Sequence, residues 1–421
     1  MLTKLKPKSE FSRNVLTLMT GTTIAQAIPI AISPILTRIY TPEDFGVFAL
    51  YMAVASIIAV IATGRYELAI MLPKKDEDAV NIVALSIIIS FFVSFISFLI
   101  VFIFNENITN LLGNPEITNW LYFIPITVLL TGIYQSFNYW SNRKKQYKRL
   151  ATSRVIQSAT AGTTNLGMGF GGFGSTGLIF GSILGQGVAT TILTRMVWKE
   201  DSYRLNEIKK LKIFALSKKY KKLPIYNLPN ALIDGFRLSG ISILIAKFFT
   251  TATLGQFSLA WKMLQTPIAL IGGSLSQVFF QKVSISTKSD LHRIVVKFIL
   301  QASMVAAPIF LLIYFFAVDI FIFVFGENWK LAGEAASVMT PWLFLNFLSG
   351  PLASVFIILN KQETILLVAI IYMIFPISII FIYNDIGFLN VLNIISIGMS
   401  LILIIYGVLC IYYTKERNVK E

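Results

Sequence analysis

Nine charged side chains interrupt the long apolar blocks of this sequence: Arg65, Glu67, Arg154, Arg195, Asp234, Arg237, Lys247, Lys262 and Lys297. A charge at the middle of a membrane helix costs about 2.5–3.5 kcal/mol on insertion scales, so such groups usually face a cavity or a partner. Basic residues outnumber acidic ones seven to two in this set. A passage lined that way favours an anion, because fixed ammonium and guanidinium groups offset the desolvation of a phosphate. Arg65 and Glu67 stand near the inner end of the second block, and Asp234 and Arg237 are spaced to share one face of a helix in the seventh. Lys262 lies about one and a half to two turns inside the eighth block, with no acid nearby in sequence. It is the best single candidate for a ligand contact. Arg154, Arg195, Lys247 and Lys297 fall near block ends, where long basic side chains snorkel to the interface.

Other stretches spell chemistry that their context does not support. "GMGFGGFGSTG", residues 167–177, matches G-x-G-x-x-G twice. A dinucleotide loop requires a preceding strand and a following helix in a βαβ unit. This run instead joins two apolar blocks and continues as Gly177, Gly181 and Gly185, the small-residue spacing that lets membrane helices approach closely. A helix-packing turn is the reading. "KKDEDA" contains Asp76-Glu77-Asp78, the D-x-D of sugar-nucleotide glycosyltransferases, on a loop too short to present a soluble site. A charged interfacial loop is expected there. With one histidine, His292, and one cysteine, Cys410, a metal site or a histidine-based triad has little to build on. No catalytic or metal-binding residue is assigned.

The elements that position these residues follow from composition. The chain has 421 residues, of which 55% are hydrophobic and 14% charged, with a mean hydropathy of +0.72; soluble proteins carry about a quarter charged residues. Apolar blocks of about 20 residues match a hydrocarbon core of about 30 Å. Lipid leaves only helices or a closed barrel as spanning structures, and runs such as "IVALSIIISFFVSFISFLIVFIF" lack period-two alternation. An all-α integral membrane protein with about twelve spans is predicted: 14–36, 45–71, 80–104, 119–140, 152–171, 177–197, 226–249, 255–280, 294–318, 335–359, 364–383 and 391–413. The basic start "MLTKLKPKSEFSR" is followed by no short apolar region with a cleavage site.

Basic loops fall on one side of these spans, which places both termini in the cytoplasm. That asymmetry accounts for much of the net charge of +15, so no nucleic-acid partner is expected. The longest loop divides the chain into a six-helix lobe over 1–198, a basic linker over 199–223 and a second six-helix lobe over 224–421. Leu205, Ile208, Phe214 and Leu216 alternate with lysines in the linker. It suits a helix on an anionic inner leaflet; a solvated connector is the alternative.

The halves repeat. At an offset of 209 positions, "RIYTPEDFGVFALYM" (38–52) falls on "KFFTTATLGQFSLAW" (247–261) without a gap, pairing Thr41, Gly46, Phe48 and Leu50 with Thr250, Gly255, Phe257 and Leu259. Parallel repeats are a transporter architecture with the substrate site between the halves. Pro29, Pro34, Pro125, Pro267, Pro308, Pro341 and Pro376 fall within the predicted spans, where each would bend its helix.

"LTRIYTPEDFGVFALY", "GRYELAIMLPKKDEDA", "LGQFSLAWKMLQTPIALIGGSLSQVFFQK" and "FGENWKLAGEAA" resemble the polysaccharide-biosynthesis, O-antigen type flippases of the multidrug/oligosaccharidyl-lipid/polysaccharide exporter superfamily. The resemblance implies a MATE-like, V-shaped bundle of two parallel lobes around a central cavity. It also implies translocation of undecaprenyl-diphosphate-linked oligosaccharide repeat units from the inner to the outer leaflet of the bacterial cytoplasmic membrane, for O-antigen, capsule or exopolysaccharide. Arg65 and Lys262 match the family's cationic cavity positions; Arg237 is less typical of it. Glu67 or Asp234 would serve ion coupling or charge pairing, with a proton or sodium gradient as the energy source and no cofactor. Membrane lipids and a polysaccharide polymerase complex are the other expected partners. A membrane glycan polymerase or ligase, or a cation-coupled drug exporter of the same fold, are the alternative readings. The drug exporter would need an acid in span one, where 14–36 has none.

Overall fold

The computed structural model describes residues 10–286 and 288–419. No strand occurs among them. The helices are α1 (Glu10–Ile39), α2 (Pro42–Ala59), α3 (Asp76–Leu112), α4 (Thr118–Leu121), α5 (Ile124–Arg143), α6 (Tyr147–Phe170) and α7 (Ser175–Asp201). After them come α8 (Lys210–Lys219), α9 (Leu228–Phe248), α10 (Thr251–Ser284), α11 (Lys288–Phe325), α12 (Lys330–Ile358), α13 (Gln362–Tyr383) and α14 (Phe388–Val419).

Among the described residues, nine helices are long and apolar enough to cross a membrane, and ten if the segment Pro115–Leu121 and α5, bent by 51° to each other, make one span. α6 and α9 have the length of a span but carry more polar residues, Arg149, Arg154 and Gln157 in one and Asp234 and Arg237 in the other. The chain is a multi-pass membrane protein. Two compact units divide it, Met1–Lys247 and Phe248–Glu421. α9 belongs with the first, because Ser239 hydrogen-bonds Ser56 of α2 at 2.9 Å and Gly235 faces Ile57 and Val60.

The repeat is present in the backbone. α1 and α9 end at Ile39 and Phe248, and α2 and α10 begin at Pro42 and Thr251, each pair at the offset of 209 found in the sequence. Thr41 caps α2 by accepting from the Asp44 N–H at 3.2 Å, and Thr250 caps α10 by accepting from the Thr253 N–H at 3.1 Å. Gly46 and Gly255 are both buried one turn later, followed by buried Leu50 and Leu259.

The glycine run packs helices, as its spacing requires. Tyr40, between α1 and α2, donates its hydroxyl to the Asn165 carbonyl at 2.6 Å. A side chain at Gly169 or Gly177 would collide with the Tyr40 ring, and one at Gly181 with Asn165. A Cβ at Gly185 would stand 2.8 Å from the Gln157 carbonyl of α6. Gly172 and Gly174 turn the chain with φ of +73° and +53°, a region that glycine enters without steric cost. Burial pushes the Tyr40 phenol up to about 12, with the Asp44 charge adding to the effect. Deeper in the pair, Gln157 of α6 donates to Gln186 of α7 at 2.6 Å.

One expectation needs correction. The second span does not run to residue 71: α2 ends at Ala59, turns follow, and Tyr66–Met71 is a 3-10 helix. Gly64 and Arg65 have φ of +58° and +63°, which an α-helix cannot contain. Pro125 falls where its predicted span is bent: it occupies the first turn of α5, directly after the break at which that helix turns by 51° from Pro115–Leu121.

Candidate functional site

Arg65 and Glu67 meet in the break that follows α2. The Arg65 Nη1 lies 3.3 Å from the Glu67 Oε1, and the Thr63 hydroxyl donates to the other carboxylate oxygen. Glu67 is only 2% exposed and Arg65 27%, so the acid is fixed in protein while the guanidinium reaches the edge of the site. The Arg65 Nε is buried with no hydrogen-bond partner among the described residues. Irregular backbone is tolerated in a membrane protein where other chain segments cover it, and here Thr63, Gly64, Tyr66 and Glu67 are all buried. The Tyr66 hydroxyl reaches the Ser217 carbonyl at 3.0 Å and Arg143 reaches the Ile70 carbonyl at 3.1 Å. The break therefore lies at the end of the span next to the linker.

Asp234 and Arg237 form the second pair, 3.2 Å apart on one face of α9, with Asp234 63% exposed. Because α9 runs beside the end of α2, this pair stands on the helix flanking the break. Both pairs belong to the first unit, and each joins one positive to one negative charge.

Lys262 belongs to the second unit and differs in kind. It is exposed in α10, and among the described residues no hydrogen bond or ion pair reaches its ammonium. Of the five residues predicted for the site, it alone keeps an uncompensated charge. Thr266, Ala269 and Gly273 follow it at spacings of three and four, which place them on one face. Thr266 bonds back to the Lys262 carbonyl at 2.8 Å, and a Cβ at Gly273 would meet nothing. Small and weakly polar groups around an ammonium are unlike the large apolar side chains that cover lipid-facing helix surface. On an adjoining face of α10, Met263, Pro267 and Ile271 line an apolar cavity of about 440 Å³ with Phe298, Ile309 and Phe347.

Of the four residues expected to snorkel, Arg195, Lys247 and Lys297 are exposed. Arg154 instead turns inward and donates to Thr22 of α1 at 2.7 Å.

Sequence reasoning missed a second set of charges, which fastens the linker. Arg149, which lies between the predicted spans 119–140 and 152–171, is buried in the first turn of α6. It pairs with Asp201 at 2.9 Å and with Glu200, while the Trp140 indole N–H donates to Asp201 at 3.0 Å. Asp76 receives Arg143 at 3.0 Å, Lys144 at 2.9 Å and Arg204 at 3.2 Å. Glu77 receives Lys212. Asn81 is fully buried: its amide donates to the Glu77 and Glu207 carbonyls at 2.7 and 2.9 Å and accepts from the Lys209 N–H at 2.8 Å. The D-x-D spelling is thus absorbed by structure, at a helix N-terminus that favours acidic groups. No group of three metal-ligating side chains occurs among the described residues.

Residues 35–333 match the model of a family described as polysaccharide biosynthesis protein. A search of curated protein sequences returns no match. Among solved structures, the chain resembles the inward-facing conformation of a multidrug resistance MATE family transporter of the MOP superfamily, with a TM-score of 0.71 at 15% identity over 94% of this chain and 96% of that one. It also resembles the lipid II flippase MurJ in its inward closed conformation, with a TM-score of 0.69 at 13% identity over 96% and 88%. A MOP superfamily transporter from Pyrococcus furiosus gives 0.60 at 16% identity over 95% of both chains. At these identities the likeness is one of fold.

Proposed function

The chain belongs to the polysaccharide biosynthesis protein family, and from that premise we propose that it is a flippase for undecaprenyl-diphosphate-linked oligosaccharide repeat units. It would carry them by alternating access from the inner to the outer leaflet of the bacterial cytoplasmic membrane, for O-antigen, capsule or exopolysaccharide. The observation that carries the reading is the unpaired Lys262 ammonium on a small-residue face of a membrane helix. An ammonium left without a counter-charge in such a place is costly, and a diphosphate supplies the missing anion. The apolar cavity on the adjoining face of α10 suits a substrate that is charged at the head and hydrocarbon in the tail. Flipped unaided, the glycan would bring its hydroxyls into hydrocarbon at several kcal/mol per unpaired group; a polar passage removes that barrier.

Arg65 and Arg237 take a different part from Lys262 in this reading. Each is already neutralised by an acid, so each would bind phosphate only by exchanging its carboxylate partner. Glu67 or Asp234, once released, is then the group through which a proton or sodium gradient would couple. The test is to locate the lipid-linked intermediate in a deletion strain. Single repeat units stranded on the inner leaflet are expected. Repeat units that reach the outer leaflet and differ only in chain length would instead point to a polymerase or ligase.

A further inference from the structure

α8 docks on the first unit with one face. Leu216 is buried in a cluster with Tyr66, Ile70, Val80 and Trp140, and Ile213 and Tyr220 pack against it. Tyr66 holds the Ser217 carbonyl, and Glu77, at the start of α3, holds Lys212. The hydrogen bond that Lys212 donates to Glu77 raises the ammonium above its ordinary value.

The opposite face has another composition. Lys210, Leu211, Phe214, Lys218 and Lys219 are all exposed, and their spacing places them on one side of the helix. Leu211 is 85% and Phe214 61% exposed, while the Lys218 ammonium sits 4.4 Å from the centre of the Phe214 ring. Seven lysines and no acid occur between residues 208 and 222. Apolar side chains flanked by ammonium groups fit the boundary between headgroups and acyl chains, where the lysines meet phosphates and the apolar groups go below them. The tethers to the first turn of α3 fix the level of α8: it lies at the end of a membrane-spanning helix.

We propose that this face of α8 is a docking surface for anionic phospholipid on the side of the membrane where α3 begins. Charge complementarity selects the occupant: a zwitterionic surface would leave the lysines without counter-charges, and water would leave Leu211 and Phe214 uncovered. The inference does not depend on what the protein transports.

The test uses the full chain in lipid nanodiscs. A nitroxide is placed at Phe214→Cys in a Cys410→Ala background, which removes the buried native thiol. In bilayers containing phosphatidylglycerol the label should be more accessible to oxygen than to a water-soluble nickel chelate, and less so in pure phosphatidylcholine. Lys210→Gln, Lys218→Gln and Lys219→Gln should each weaken retention of phosphatidylglycerol about five-fold, as native mass spectrometry would read it. A label equally open to water in both bilayers, with unchanged lipid retention in the lysine variants, would overturn the proposal and leave the face to solvent or an acidic protein. If Cys410→Ala does not fold, the quenching by brominated lipids that Phe214→Trp adds to that of the six native tryptophans gives the same decision.

Discussion

Thr41 and Thr250, 209 positions apart in sequence, cap α2 and α10 through the same bond to the third residue of the helix. In the first half Asp44 also accepts from the Thr41 N–H at 2.9 Å, completing a capping box. In the second half Thr253 takes that position and shares its hydroxyl with Thr250 at 2.8 Å. Thr41→Ala and Thr250→Ala should each cost about 1 kcal/mol. The two losses should add, since the caps share no partner. Thermal unfolding in detergent measures both.

Lys262→Ala should abolish surface glycan while membrane levels of the protein stay constant. Lys262→Arg should retain part of the activity, because it keeps the charge and changes only its shape. Immunoblots for glycan and protein on the same cells read the outcome, and wild-type glycan in the alanine variant would sink the assignment of Lys262.

Arg65 adopts a left-handed backbone that costs a residue with a Cβ about 1–2 kcal/mol. Arg65→Gly would relieve that strain but leave the buried Glu67 without its counter-charge, a loss of about 3–5 kcal/mol. The single variant should therefore be less stable than wild type. Arg65→Gly with Glu67→Gln should recover most of the loss, and a double variant no more stable than the single would show that the pair is not coupled.

Arg149→Leu strands Asp201 in a buried site that Trp140 alone then serves, which should cost about 3–5 kcal/mol. Adding Asp201→Asn should restore part of that stability, because the charge is removed and the indole keeps an acceptor. Urea titration of the four proteins closes the cycle.

Asn81→Leu removes the two bonds by which this side chain holds the linker to α3, to the Glu207 carbonyl and the Lys209 N–H, and leaves those part-buried backbone groups unpaired, at about 1–3 kcal/mol each. Trypsin should then cut between Lys209 and Lys222 faster than in wild type, with other sites unchanged. Mass spectrometry of the fragments shows which bonds open first.

The sequence made some of this legible and concealed the rest for physical reasons. A gapless repeat and a stripe of glycines show in residue type and spacing, so the match of Thr41 with Thr250 and the packing role of Gly181 and Gly185 could be read directly. The break after Ala59 was hidden because "VIATGRYELAIM" is apolar enough to pass a hydropathy window. Its one signal is a glycine followed by a charge within an apolar run, at Gly64 and Arg65. Lys262 stood out because no acid lies near it in sequence, and in the fold none reaches it. Arg149 and Asp201 both fall outside the predicted spans, where nothing in sequence links them. Their pairing spans 52 residues and is set by how α6 and α7 return to the same end of the unit, which no local pattern records.

The contact between α6 and α7 has a mechanical consequence. With Tyr40 wedged against Gly169 and Gly177, Gly185 touching backbone, and a glutamine pair deeper in, these two helices cannot slide or roll independently. They form a stiff plank, and any bending of the chain has to be taken up elsewhere. Pro29 and Pro34 in α1 of the same unit, and Pro267 in α10, Pro308 in α11, Pro341 and Pro351 in α12 and Pro376 in α13 of the other, interrupt hydrogen bonding inside helices, and that is where flexure should concentrate.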